Sequence, residues 1–164
     1  MKTAPKTPLP PNLRKLSLKA NKKPYTKPRR VKMPTLRQAK VKLWELCKQI
    51  TRKKHGSTCF TSGKQGLEGS NWQTGHYIAS SLCSTELRYD LKNLRPQSYQ
   101  ENINHSGNTL QFRRNLIRDH GIEYVEELET RNQKTKGQKF DILWYVAKIE
   151  EYSIILAMYD KTRI

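Results

Sequence analysis

Acidic residues are missing from the first 44 positions of this 164-residue chain, and the same stretch holds 14 lysines and arginines. Over the whole chain 32 Lys+Arg stand against 14 Asp+Glu, a formal charge of +18, so residues 45–164 keep only +4 (18 minus 14). A chain this basic seeks polyanions, and the imbalance separates a basic arm from a nearly neutral body. Cysteines number only three, Cys47, Cys59 and Cys83. An odd, sparse set argues against a disulfide framework and fits a reducing compartment. There is no run of eighteen apolar residues and no apolar stretch near the N-terminus, which argues against a membrane span and a secretory signal. Proline is nearly absent after residue 34, where Pro96 is the one remaining of eight. The other seven alternate with Lys and Arg, including Arg29 and Arg30, so residues 1–34 read as a disordered basic arm that binds phosphate backbone without reading sequence. Residues 35–164 read as one domain.

Within that body, Leu36, Ala39, Leu43, Cys47 and Ile50 recur at helical spacing over residues 35–53, with a start at Pro34-Thr35 and a basic end before Gly56. Glycines at 56, 63, 66 and 69 predict an irregular loop. Short strands are expected over residues 72–79 and 94–98, joined by a polar connection over residues 80–86. A helix is expected from Glu101 to His120, started by a capping box of Ser98 and Glu101 and stopped at Gly121. A shorter helix over residues 122–130 and a last one over residues 140–159 complete the chain. The last helix carries Leu143, Trp144, Ala147, Ile149, Tyr152, Ile155 and Leu156 as an apolar band over the strand pair and first helix. The fold class is therefore α+β and mostly helical.

The residues that suggest chemistry are Gly75-His76-Tyr77, Leu87-Arg88-Tyr89, Asn93 and the run Asn-Ile-Asn-His-Ser-Gly-Asn over residues 102–108. A histidine ending a short strand, an asparagine seventeen residues on and a polar ligand opening the next helix can hold one divalent metal against a phosphate. Taken alone, His76 also reads as a core histidine satisfied by a backbone carbonyl, Asn93 as a turn residue and Asn102 as part of a first helical turn. Arg88, Lys92, Arg95, Arg113 and Arg114 flank these residues and could clamp phosphates on either side. His55 and His120 read as solvent or capping residues. No RNA module and no aromatic stacking platform is evident, which argues against an RNA-binding protein.

The order and spacing of these motifs, with the helix over residues 121–129, resemble the phage lambda NinG (Rap) family. That resemblance implies a ββα-metal, or HNH-like, core and a phage recombination endonuclease that nicks branched DNA such as Holliday junctions and D-loops. It would place the protein in the cytoplasm of a bacterial host. His76 falls where the family has its general base and Asn93 on the central asparagine that orients it. Asn102 falls on a metal-ligand position opening the helix, with His105 one turn later as a substitute. The implied cofactor is one Mg²⁺ or Mn²⁺. The family has an acidic residue just before Gly-His, where this chain has Gln73-Thr74, so Gln73 takes that ligand position and Asp90 and Glu101 are candidates to supply the missing carboxylate. The family's two Cys-x-x-Cys pairs read here Cys59-Phe60-Thr61-Ser62 and Ser98-Tyr99-Gln100-Glu101. One thiolate cannot complete a tetrahedral site, so no structural zinc is expected, and packing by Phe60, Trp72 and Tyr99 should replace it. Paired nicks on a two-fold junction imply a homodimer. The alternative reading is a nuclease-derived DNA-binding protein that has lost its metal.

Overall fold

Helix α1 (Leu36–His55) starts where two side chains exchange hydrogen bonds with the backbone. The Thr35 hydroxyl accepts from the Gln38 amide at 3.3 Å, and the Gln38 side chain accepts from the Thr35 amide at 2.8 Å. The helix stops at Gly56, whose φ of 70° an L side chain rarely adopts. The computed structural model describes residues 32–161. The basic arm, including Arg29 and Arg30, thus lies outside the described residues apart from its last three positions.

The element order after α1 is β1 (Gln73–His76), α2 (Thr85–Tyr89), β2 (Leu94–Gln97), a π-type turn (Gln100–Asn104), α3 (Thr109–His120), α4 (Ile122–Thr135) and α5 (Ile142–Lys161). The described residues are mostly helical, with one two-stranded antiparallel sheet in which Gly75 faces Arg95 and His76 faces Leu94. β1 is shorter than the expected 72–79 because Asn93 ends the ladder. Its backbone carbonyl accepts from the Tyr77 amide, and its side-chain oxygen takes the Ile78 amide that a longer ladder would use.

Three further differences have local causes. The expected connection over residues 80–86 contains the start of α2, because the Ser84 hydroxyl caps the Leu87 amide. α4 runs past residue 130, and its last turns are tied to α2: Asn132 accepts from the Ser84 amide and Thr135 donates to the Ser84 hydroxyl. The single helix expected from Glu101 to His120 is broken at Ser106, Gly107 and Asn108, all with positive φ. Glu101 holds this break, accepting from Asn108 Nδ2 and taking His105 Nδ1 as a second partner, while its backbone carbonyl accepts from the Gly107 amide.

Two apolar cores flank the sheet. One joins α1 and α5 through Ala39, Leu43, Leu46, Cys47, Ile50, Tyr145 and Tyr152, with Tyr89 and Leu94 beneath. The other is built of Tyr77, Leu87, Phe112, Leu116, Val125 and Leu128. Leu36 and Leu143 are exposed, contrary to the periodic reading, while Leu46 and Tyr145 are buried. α5 turns its Tyr145 and Tyr152 inward because the Tyr152 hydroxyl donates to the Tyr89 carbonyl at 2.8 Å, which fixes the rotation of the helix.

The expected packing by three aromatics is met by two. Phe60 packs on Phe112 with centroids 4.9 Å apart and Trp72 lies under the Arg52 guanidinium, but Tyr99 is exposed. Around Cys59 the contacts are polar instead. Its sulfur accepts from the Ser98 amide at 3.2 Å, and the Ser98 hydroxyl accepts from the Glu101 amide at 3.3 Å. Burial works to raise the Cys59 thiol, yet hydrogen bonds from Ser62, Thr61 and Ser98 bring it down to about 7.

Candidate functional site

A cleft of about 800 Å³ opens between α1, the end of β1, α2 and the π-type turn. His76, the last residue of β1, is held in it from two sides. Its ring stacks on Trp44 of α1, centroids 5.2 Å apart and planes 11° from parallel, and its Nε2 lies 3.0 Å from the Arg88 carbonyl. A carbonyl can only accept, so Nε2 carries the proton and Nδ1 presents a lone pair. Burial pushes the imidazole down to about 4, and the nearby Arg88 charge adds to this against the opposing carbonyl bond. The ring is therefore neutral at pH 7.

Asn93 does not line the cleft. It is fully buried behind it, donating through Nδ2 to the Leu87 carbonyl at 3.1 Å and the Ile78 carbonyl at 3.3 Å. The Leu87 carbonyl adjoins the one that receives His76, so Asn93 sets the path of α2 and, through it, the imidazole. Gln73 and Asn102 do line the cleft with His76. His105 does not: its two ring nitrogens face Glu101 and Gln100. The π-type turn directs its residues differently from an ordinary first helical turn. Asp90 and Glu101 are also engaged elsewhere, Asp90 capping the Lys92 amide and pairing with Arg131. Hydrogen bonds from Asn108 and His105, the first the larger influence, hold the Glu101 carboxyl below its usual range.

The four arginines and one lysine read as phosphate clamps divide sharply. Arg88 is exposed in the cleft. Lys92 pairs with Glu127 and Arg113 with Glu129, and Arg114 is exposed on α3 outside the cleft lining. Arg95 is 2% exposed and engaged by the protein. Its guanidinium donates to the Leu91, Lys92 and Leu94 carbonyls, to His120 Nε2 and to the Tyr124 hydroxyl, and lies over Phe60. His120, read as a solvent or capping residue, is exposed and also accepts from Arg95 through Nε2.

Sequence reasoning missed Lys40, Trp44, Thr74 and Tyr145, which complete the cleft walls. Only Trp44 left a signal, as an aromatic flanking the buried stripe of α1. Thr74 is 7% exposed and its Oγ1 has no hydrogen-bond partner. Ser106 and Gly107 bring the positive-φ segment to the cleft, a local strain of the kind that clusters at functional sites.

As a donor set for Mg²⁺ or Mn²⁺ the cleft is poor. It offers one imidazole, the carboxamides of Gln73 and Asn102 and several hydroxyls, beside the cations Lys40 and Arg88, with no carboxylate in its lining. Hard divalent cations need anionic oxygen, so these residues do not fit one. Among the described residues no group of three His, Cys, Asp or Glu could hold a metal ion.

The fold is mostly helical with a small two-stranded sheet, and its cleft is lined by two cations and a neutral histidine. Its sequence matches the family described as "Bacteriophage Lambda NinG protein" over residues 12–159. The chain belongs to the NinG family. It is 33% identical over 76 residues to "Protein ninG" of Enterobacteria phage H19B, 46% of this chain and 36% of that protein. Identity to "Protein ninG" of Salmonella phage P22 is 32% over 76 residues, with the same shares. The aligned stretch thus spans about a third of the length of these curated relatives. No solved structure matches the chain. No helix among the described residues is long and apolar enough to cross a membrane.

Proposed function

We propose that this protein is a DNA-binding member of its family that holds the phosphate backbone of branched DNA in the His76 cleft during phage recombination, without metal-dependent cleavage. One observation carries this reading: Arg88 and Lys40 line a cleft whose lining has no carboxylate. A metal site and a phosphate site demand opposite local charge. Anionic side chains attract the cation in the first, and cationic ones attract the anion directly in the second. The neutral His76, with Nε2–H bonded to the protein, leaves Nδ1 to accept from a water or a DNA donor. The basic arm adds affinity that falls as salt rises.

A second reading, phosphodiester hydrolysis, is favoured by the same imidazole. It is neutral, fixed in one tautomer and open to the cleft through Nδ1, as a general base requires.

The test uses the full chain with a labelled four-way junction and a matched duplex in Mg²⁺ or Mn²⁺, comparing wild type, His76→Ala and Gln73→Asp. The binding reading expects tight, salt-sensitive binding and no nicks from wild type. Metal-dependent nicks lost in His76→Ala at equal DNA binding would replace it with the hydrolytic reading. Under the binding reading Gln73→Asp supplies the missing anionic oxygen beside His76 and Asn102, so a gain of Mn²⁺ binding by calorimetry is expected in that variant alone.

A further inference from the structure

We infer that the cleft takes an unpaired nucleotide with its base directed inward, rather than only the phosphates of a paired strand. This rests on the reading of the cleft as the DNA site and names the DNA feature it selects. A phosphate contact needs a shallow cationic surface. This cleft is open to solvent on one side and offers about 800 Å³, within the roughly 300–1,000 Å³ of small-molecule clefts.

Its walls are divided as a nucleotide is divided. Arg88 and Lys40 provide charge for the phosphate. Two aliphatic side chains, Val41 on α1 and Ile103 on the π-type turn, line the cleft while remaining 57% and 50% exposed. Phosphates make no use of such surface, but the face of an unstacked base does. Trp44 and Tyr145 continue the apolar lining on the side of α1 and α5. The Asn102 carboxamide carries a donor and an acceptor, the pairing that hydrogen-bonds a base edge, and Gln73, whose Nε2 donates to the Ser70 carbonyl, adds its carboxamide oxygen as an acceptor.

Thr74 supplies an independent observation. Its hydroxyl is buried in the cleft wall with no partner, an arrangement that costs stability in the free protein. A polar atom of a bound base would satisfy it once the hydroxyl, enclosed in the free protein, rotates toward the cleft. Because a base inside a duplex is stacked on both faces, a strand discontinuity, a bulge or a branch point delivers one here at the least cost.

The experiment measures anisotropy of the full chain with three duplexes of one sequence: fully paired, with a single unpaired 2-aminopurine, and with an abasic residue at that position. Wild type should bind the unpaired-base duplex about tenfold more tightly than the other two, the scale of one base stacked on side chains. Binding should also change the 2-aminopurine emission. The double substitution Val41→Ala, Ile103→Ala, at two exposed positions, should abolish the preference for the unpaired base. Equal affinity for all three duplexes, with Arg88→Ala weakening each alike, would overturn the inference and keep the backbone reading. No effect of Arg88→Ala on any duplex would remove both.

Discussion

Arg88 and Arg95 are seven residues apart in sequence, and as bare sequence they look alike: basic residues beside a histidine motif. The fold gives them opposite work. Arg88 stands exposed in the cleft, where its charge is available to a ligand. Arg95 lies across the ribbon, saturated by backbone carbonyls, His120, Tyr124 and the face of Phe60. On the cleft side Thr74 Oγ1 has no protein partner, whereas the Arg95 guanidinium donates to backbone carbonyls, His120 and Tyr124. Residue type is the same in the two arginines; exposure and hydrogen-bond partners separate them.

That contrast is sharpest at Arg95, so Arg95→Ala should produce the largest effect. It leaves several buried acceptors without a donor, each worth on the order of 1–3 kcal/mol, and a total loss of about 3 kcal/mol is expected by urea unfolding. Unchanged stability together with weakened DNA binding would reverse the assignment.

Gly75→Ala tests how the two sides are spaced. A Cβ there would sit 1.8 Å from Gln97 Oε1, and the Gln97 side chain is buried and anchored to Thr61 and the Gly107 carbonyl. It can yield little, so a loss of about 2 kcal/mol is expected in the same measurement, from overpacking. A variant as stable as wild type would show that Gln97 is free to move.

Arg88→Ala should behave in the opposite manner to Arg95→Ala. Stability should stay within about 0.5 kcal/mol of wild type, as for surface substitutions generally. DNA affinity should fall about tenfold and the slope of log K against log salt by about 1. The backbone carbonyl that holds His76 survives this change, which confines the effect to the side chain.

The smallest effect is on pH dependence. His76 and His55 are both lowered from 6.5 to about 4, mainly by burial, with Arg88 adding to this at His76 and Arg95, Lys54 and His120 at His55. The unfolded chain takes up these protons near 6.5 and the folded protein only near 4. Their contribution to stability is therefore complete above about 6.5 and declines as pH falls toward 4. Thermal unfolding between pH 8 and 4 should show this decline, shallower in His76→Gln. A flat profile would mean that neither imidazole is withdrawn from water.

Most of the helical skeleton was legible because caps and apolar spacing are local. Thr35, Gly56 and Gly121 mark ends that depend on their own turn, and the two strands lie within the ranges their composition suggested. The break at Ser106, Gly107 and Asn108 was not legible, since it depends on the Glu101 carboxylate reaching Asn108 through space. Nor was the assignment of Leu143 and Tyr145 on α5. That helix is apolar on most sides, so periodicity alone does not fix which face turns inward. Of the candidate site, His76, Gln73 and Asn102 share one cleft, whereas His105 and Asn93 lie outside its lining, because the π-type turn and the side-chain termination of β1 redirect them.

By itself the sequence determined the charge imbalance, the helix boundaries set by local caps and the kinds of side chain available for chemistry, since each follows from residue identity or from neighbours within a turn. Tertiary structure alone decided which of those side chains face a ligand. Burial and hydrogen-bond partners come from segments far apart in the chain, and they leave Arg88 and the His76 lone pair open while closing Arg95 and Asn93 into the protein.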